Sequence, residues 1–117
     1  MQLPKQAQVL RIFVGEAGEI DGKPAYEALV MKAREMQLAG ATVLRGTMGY
    51  GHSGRLHTSK ILRLSDDLPL VVELIDSRDK IQAFLPALDA MLNAAGSSGL
   101  VTLEDVEVLR YGPQPVS

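Results

Sequence analysis

The residues best suited to chemistry in this sequence form a basic stretch that contains no carboxylate. Between residues 36 and 65 there is no Asp or Glu, whereas four basic residues fall there, namely Arg45, Arg55, Lys60 and Arg63. The chain has 12 basic and 14 acidic residues, so the remainder holds 8 basic and 14 acidic residues, a net charge of −6. Glycines within the stretch free backbone N–H groups that attract anions. We therefore interpret it as a loop that binds an anion or a partner.

Two histidines and three acids offer weaker candidates for chemistry. His52 and His57 lie five residues apart with no Cys or carboxylate close in sequence, whereas a structural zinc site takes four ligands at tighter spacing. Glu16, Glu19 and Asp21 surround glycines and could hold a hard cation, but a solvated turn is the simpler interpretation. Hydroxyl residues near the histidines have no acid to orient a catalytic triad. We therefore expect no metal site and no enzymatic activity.

The triplet Gly49-Tyr50-Gly51 is open to two interpretations. It opens no helix, so it does not resemble a dinucleotide-binding fingerprint. Its glycines could form a bend or bulge in a hairpin. Equally, they could allow a ligand to approach the backbone closely.

Length and composition exclude several classes of protein. A chain of 117 residues fits one domain with its own core. Cysteine is absent, so no disulfide framework or thiolate chemistry is expected. The apolar runs fall short of the ~20 residues of a membrane span, and the first predicted strand leaves no room for a signal peptide. We therefore expect a cytoplasmic protein, and the net charge of −2 argues against nucleic-acid binding.

Hydrophobic periodicity predicts an alternation of strands and helices. In chain order the predicted elements are a strand at 8–14, a helix from Pro24 that stops at Gly40, extended chain at 41–50 and again at 59–64, a strand at 70–75, a helix capped by Asp76 or Ser77, and a strand at 100–111. We expect a single domain over residues 1–117, with a core at about 8–112, a flexible N-terminal lead-in and a flexible tail at 112–117.

This order predicts an α+β domain of the ferredoxin-like βαββαβ type. Its four-stranded antiparallel sheet carries two helices on one face. The opposite face holds Phe13 or its neighbours and several valines, which is too apolar a surface for a lone monomer in water. We therefore expect oligomerisation through that face.

Sequence motifs in the same order resemble those of the PII-like signalling proteins. The segments LAGATV, GYG and LPLVVELID lie between Leu38 and Asp76 and are similar to the PII pattern of helix end, second strand, mobile loop and third strand. GYGHSGRLHTSKILRLSDDLP and GLVTLEDVEVLRYG are similar to an uncharacterised prokaryotic branch of that superfamily. Members of that branch are often encoded beside, or fused to, a fluoride channel.

The resemblance implies a homotrimer with its sheet faces inward and adenine nucleotides bound in clefts between subunits. By position, the residues that match the nucleotide cleft are Thr42, Gly49, Gly51, Glu73, Ile75 and Arg110. Val108 replaces an arginine of the PII pattern and Leu100 replaces a lysine. The loss of two charged donors favours a mononucleotide or cyclic nucleotide over ATP, since each such hydrogen bond is worth about 1.5–3 kcal/mol.

Together these features predict a regulatory sensor with no permanent cofactor, in which a small anionic effector orders the loop at 50–60 and so changes a partner's activity. The residues assigned to this loop and its partner are Arg45, His52, Arg55, His57 and Lys60. Two alternatives remain open. One is a trimer of the divalent-metal-tolerance type, and the other is a structural accessory subunit of an ion transporter or channel.

Overall fold

One antiparallel sheet of four long strands carries two helices. A computed structural model describes residues 3–60, 67–95 and 99–115. The main elements are β1 (Gln6–Gly15), α1 (Ala25–Glu35), β2 (Gly40–Arg45), β3 (Pro69–Asp76), α2 (Arg78–Ala94) and β4 (Leu100–Glu107). Across the sheet the strands lie in the order β2, β3, β1, β4. The predicted βαββαβ order and the four-stranded antiparallel sheet are confirmed.

The core lies between the sheet and the helices. Every second residue of β1 and β3 points into it, which is the period of a strand with one covered face. The buried residues of α2 are Ile81, Phe84, Leu88 and Leu92, whereas Leu85 and Ala95 are half-buried. Burying a side chain of this size stabilises the fold by about 1.5–3 kcal/mol.

The first helix ends earlier than the sequence predicts. Gly40 is not its stop, because Gln37 already adopts a left-handed conformation with φ of 61°. The amide of Leu38 then donates to the carbonyl of Ala33 at 3.0 Å, which closes the helix end. Gly40 instead begins β2, where a Cβ would lie 3.0 Å from Ile75 Cγ2.

The second helix begins at one of its two predicted caps. The hydroxyl of Ser77 accepts from the amide of Lys80 at 3.3 Å. Asp76 is buried instead, and its carboxylate accepts from the amides of Ala39 and Ser77. It therefore joins the connection between α1 and β2 to the start of α2.

The C-terminal part departs from the prediction of one strand over 100–111. β4 ends at Glu107, and a separate two-residue strand at Arg110–Tyr111 pairs with Gln114–Pro115. The hydroxyl of Tyr111 donates to the carbonyl of Ala39 at 2.8 Å, which ties this ribbon to the start of β2. Residues 116–117 of the expected tail lie outside the described ranges. The flexibility of both chain ends stays a prediction.

The sheet face opposite the helices is only partly covered. At one end Leu3, Ala7 and Val108 form a small buried cluster with Tyr111 packed against it. Farther along, Leu44 and Leu100 are exposed on this face. The predicted apolar face therefore exists, and the N-terminal lead-in covers part of it. Within the described residues, neither helix has the length and apolarity that crossing a bilayer requires.

Candidate functional site

The glycine-rich segment forms an arm, residues 46–60, that leaves the sheet after β2. At its base Met48–Gly49 pairs with His57–Thr58, and the amide of Ser59 donates to the carbonyl of Thr47 at 2.9 Å. The extended chain predicted at 59–64 is therefore wrong for residues 59–60, which form a turn. Residues 61–64 lie outside the described ranges.

Pro69 fixes the base of the arm to the first residue of β3. The amide of Gly46 donates to the carbonyl of Pro69 at 2.7 Å. A Cβ on Gly49 would lie 3.1 Å from Pro69 Cγ, whereas a Cβ on Gly51 would meet nothing within 4 Å. Of the two interpretations left open for the triplet, the hairpin explains Gly49. Gly51 has room for a ligand to approach.

The tip of the arm projects into solvent. The amide of Gly54 donates to the carbonyl of Gly51 at 2.9 Å, and Gly54 takes the left-handed φ of 74° that closes this turn. His52 and Arg55 are exposed there, and Tyr50 is 75% exposed. The tip thus presents basic and aromatic side chains with no carboxylate among them.

The basic residues nearer the sheet are already paired with acids from other parts of the chain. Arg45 forms an ion pair with Glu16, and His57 Nε2 lies 3.8 Å from Asp67 Oδ2. Lys60 is exposed, and Arg63 lies outside the described residues. The sequence analysis treated Glu16 and the basic stretch as separate features, but the fold pairs Glu16 with Arg45 at one end of the sheet.

A polar row crosses the face opposite the helices. Thr42 lies directly opposite Glu73, and Glu73 accepts from Arg11 Nε at 2.8 Å. Arg11 also donates from Nη1 to Glu104 at 2.8 Å. The hydrogen bond with Glu104, and then the one with Glu73, raises the pKa of the Arg11 guanidinium. Sequence reasoning missed Arg11, although a lone Arg within an alternating apolar strand was a usable signal.

The remaining predicted cleft residues lie toward the far end of the sheet. Ile75 and Tyr111 both pack against the buried cluster at this end, and Arg110 Nη2 donates to the carbonyl of Pro113 at 2.9 Å. β3 has eight residues, and at about 3.4 Å per residue its two ends lie roughly 24 Å apart. Gly49 and Gly51 are near the first residue of β3 and Arg110 is near its last. One chain therefore does not bring Arg110 to the arm, and their predicted meeting in a cleft between subunits stays a prediction.

Within the described ranges no three His, Cys, Asp or Glu side chains lie close enough together to hold a metal ion. His52 and His57 are separated by the turn of the arm, with His52 exposed at the tip and His57 half-buried at the base.

Comparison with known proteins places the chain in a family. The profile of the DUF190 family, described as Uncharacterized ACR, matches residues 7–108. The chain belongs to this family. A UPF0166 protein of Aquifex aeolicus (strain VF5) is 43% identical over 102 residues, covering 87% of this chain and 92% of that protein. A UPF0166 protein of Methanocaldococcus jannaschii is 30% identical over 105 residues, covering 90% of this chain and 94% of its relative.

This DUF190 protein also has a PII-like fold. It is similar to CPII, a nitrogen regulatory PII-like protein from Thiomonas intermedia K12 bound to ADP, AMP and bicarbonate, with a TM-score of 0.69 and 17% identity. A structure of CPII bound to ADP and bicarbonate gives a TM-score of 0.67 and 19% identity. Each likeness covers 90% of both chains. The PII resemblance of the sequence is thereby confirmed at the level of the fold.

The family match separates the candidate residues of the DUF190 protein into two groups. The span 7–108 contains the arm and the polar row, whereas Arg110 falls just beyond it.

Proposed function

We propose that this protein is a regulatory sensor of the PII-like kind, without enzymatic activity. It binds a small anionic effector, an adenine nucleotide, and signals through the arm. The observation that carries the proposal is the likeness of fold to CPII, whose structures are bound to ADP, AMP and bicarbonate. The arm supports it, because it leaves the sheet between β2 and β3 and carries no carboxylate.

The proposed site lies between subunits of a homotrimer. Arg110 and the arm sit at opposite ends of one sheet, so a second copy is needed to bring an Arg110 toward a glycine-rich arm. The exposed apolar side chains of the face opposite the helices give a reason to assemble, because Leu44 is 51% exposed and Leu100 is 59% exposed. In a trimer these faces turn inward and the polar row borders the cleft.

The effector in this proposal carries one or two phosphate groups or a cyclic phosphate, and not a triphosphate. Val108 is buried against Leu3 and Ala7, so its position contributes no cation to a cleft. Leu100 is exposed at the start of β4 and likewise offers no charge. A triphosphate that loses two charged donors loses about 1.5–3 kcal/mol for each. AMP, ADP and cyclic nucleotides are therefore better candidates than ATP, and bicarbonate is a second anion to test.

The regulated partner in this proposal is a membrane transporter or channel, with the sensor in the cytoplasm. The exposed basic and aromatic residues of the tip would contact that partner. Ordering of the tip by the effector would then change the partner's activity.

Calorimetry on the wild type and two variants tests the proposal. AMP, ADP, cyclic AMP, cyclic di-AMP and bicarbonate are titrated into wild type, Arg110→Ala and the control Arg34→Ala, an exposed residue of α1. We expect Arg110→Ala to weaken nucleotide binding roughly 10- to 150-fold, which corresponds to one charged hydrogen bond. The control should bind as the wild type does, and light scattering should show a trimer for all three.

Three results would contradict parts of this reasoning. No binding of any nucleotide at millimolar concentration would refute the nucleotide sensor. Binding that Arg110→Ala leaves unchanged would refute the placement of the site. A stable monomer would refute the intersubunit cleft. Divalent metals titrated in the same way test the metal-tolerance alternative.

A further inference from the structure

We propose that two side-chain pairs latch the base of the arm to the body of the protein, and that an anion displaces Glu16 from Arg45, which frees the arm to take the ordered conformation of the effector-bound state. The pairs are Arg45 with Glu16 and His57 with Asp67, and together they are called the latch below. The displacement step rests on the proposed function, because the anion is its effector. The latch itself stands without it.

The first pair joins two strands that do not touch. Arg45 is the last residue of β2 and Glu16 follows β1, and β3 lies between these strands. Glu16 reaches across because its amide donates to the carbonyl of Leu68 at 2.9 Å, just before β3 begins. The pair therefore binds the root of the arm to the connection between β1 and α1.

Glu16 is held by charge rather than by a full set of hydrogen bonds. Its Oε2 atom is buried, and in the described part of the chain no donor makes a hydrogen bond to it. Arg45 Nη2 lies within ion-pair distance of the same oxygen. Loss of Arg45 leaves this carboxylate oxygen without its counter-charge. Glu16 thus occupies the position at Arg45 that an external oxyanion would take.

The second pair ties the other strand of the arm to the same connection. His57 lies in the ribbon at the base of the arm, opposite Gly49. Its partner Asp67 is fixed in turn, because Asp67 Oδ1 accepts from the amide of Ala17 at 2.9 Å. A Cβ on Gly15 would overlap the same oxygen, so a larger residue at position 15 would displace the Asp67 side chain. Both strands of the arm are thereby joined to residues 15–17.

The exposure of Arg45 makes the latch reversible. Its side chain is 64% exposed while that of Glu16 is 22% exposed, so an anion from solvent can reach the guanidinium first. An exposed ion pair contributes little stability, so its loss changes the ratio of latched to unlatched protein only a few-fold. A small anion of modest affinity can therefore compete with Glu16, which a buried bidentate pair would prevent.

Hydrogen exchange of the arm without any ligand tests the latch directly. The variant is Glu16→Gln and the matched control is Glu19→Gln, since Glu19 is exposed in the same connection and forms no ion pair among the described residues. We expect amides of residues 46–60 to exchange about two- to fivefold faster in Glu16→Gln and as in wild type in Glu19→Gln. Arg45→Gln removes the other partner of the pair and should speed the hydrogen exchange of the arm by the same factor.

Swapping the two charges of the first pair completes the test of the latch. Glu16→Arg combined with Arg45→Glu should return the hydrogen-exchange rate of the arm toward that of the wild type. A variant that had merely lost its fold would not recover in this way. Exchange in Glu16→Gln equal to that in Glu19→Gln would overturn the latch. So would a double variant as fast as the single ones.

Calorimetry with inorganic pyrophosphate tests the displacement step. Because Glu16→Gln lacks the carboxylate that competes for Arg45, pyrophosphate should bind this variant about two- to fivefold more tightly than it binds wild type or Glu19→Gln. Equal affinities, or no binding to Glu16→Gln, would overturn displacement. If the wild type binds no nucleotide but Glu16→Gln still exchanges faster, the latch stands and the proposed function is refuted. If nucleotides bind but Glu16→Gln exchanges like the wild type, the proposed function stands and the latch is refuted.

Discussion

Replacement of Asp76 by alanine should be among the most destabilising single changes in this protein. The residue is 2% exposed, and its carboxylate accepts from the amide of Ala39 at 2.9 Å and from the amide of Ser77. Lys80 Nζ lies 4.0 Å from the same group. Alanine would leave both amides without their acceptor at the joint where β2, β3 and α2 meet.

The expected loss follows from these contacts. Two hydrogen bonds to a charged acceptor contribute about 3–6 kcal/mol together. Water can replace the bond at Ser77, which lies at a helix end, so we expect a loss of about 3 kcal/mol in the free energy of unfolding. Asp76→Asn keeps one oxygen acceptor and should lose about half as much.

Urea unfolding followed by circular dichroism measures the change, with all proteins at one concentration because assembly would shift the midpoint. Asp79→Ala is the matched control, since Asp79 lies in the first turn of α2 and is exposed. It should lose about 0.3–1 kcal/mol through the helix dipole. If Asp76→Ala were no less stable than Asp79→Ala, the role of Asp76 as the joint between these elements would be refuted.

Three further predictions concern the arm and the core. Gly46→Ala should speed hydrogen exchange of the arm, because its Cβ would lie 2.9 Å from Pro69 Cγ, whereas Gly51→Ala should leave it unchanged since nothing lies within 4 Å. Phe84→Ala should lower the free energy of unfolding by about 3–5 kcal/mol in urea titrations, because this side chain is fully buried between α2 and the sheet; a loss below 1 kcal/mol would mean that the core closes around the gap. Ser77→Ala should cost about 1 kcal/mol in the same assay through loss of the helix cap, and a neutral result would show that another group caps α2.

The sequence predicted the sheet and helices because their signals are local. The alternation in β1, the continuous apolar run in β3 and the apolar stripe of α2 depend only on neighbours along the chain. The end of α1 was missed for a related reason, since Gln37 takes a left-handed conformation that is usually left to glycine or asparagine. Gly40, three residues later, was the more obvious stop but the wrong one.

The candidate site was less predictable because it depends on strand order. The pairing of Arg45 with Glu16 requires knowing that the end of β2 lies opposite Leu70 and the end of β1 opposite Pro69, its neighbour in β3. Arg110 lies at the far end of the same sheet, and its predicted meeting with the arm depends on contacts between subunits. The chain turns after Glu107, and the C-terminal ribbon keeps Arg110 at the far end.

The position of β1 in the sheet has a consequence for how the protein is made. This strand is synthesised first, yet its residues pair with β3 on one side and β4 on the other, so that Gln8 faces Asp76 and Gln6 faces Glu107. Contacts of such long sequence separation slow folding relative to helical proteins of similar size. During translation β1 cannot complete its pairing until β4 has left the ribosome, and chaperone binding to this strand in nascent chains is the expected result.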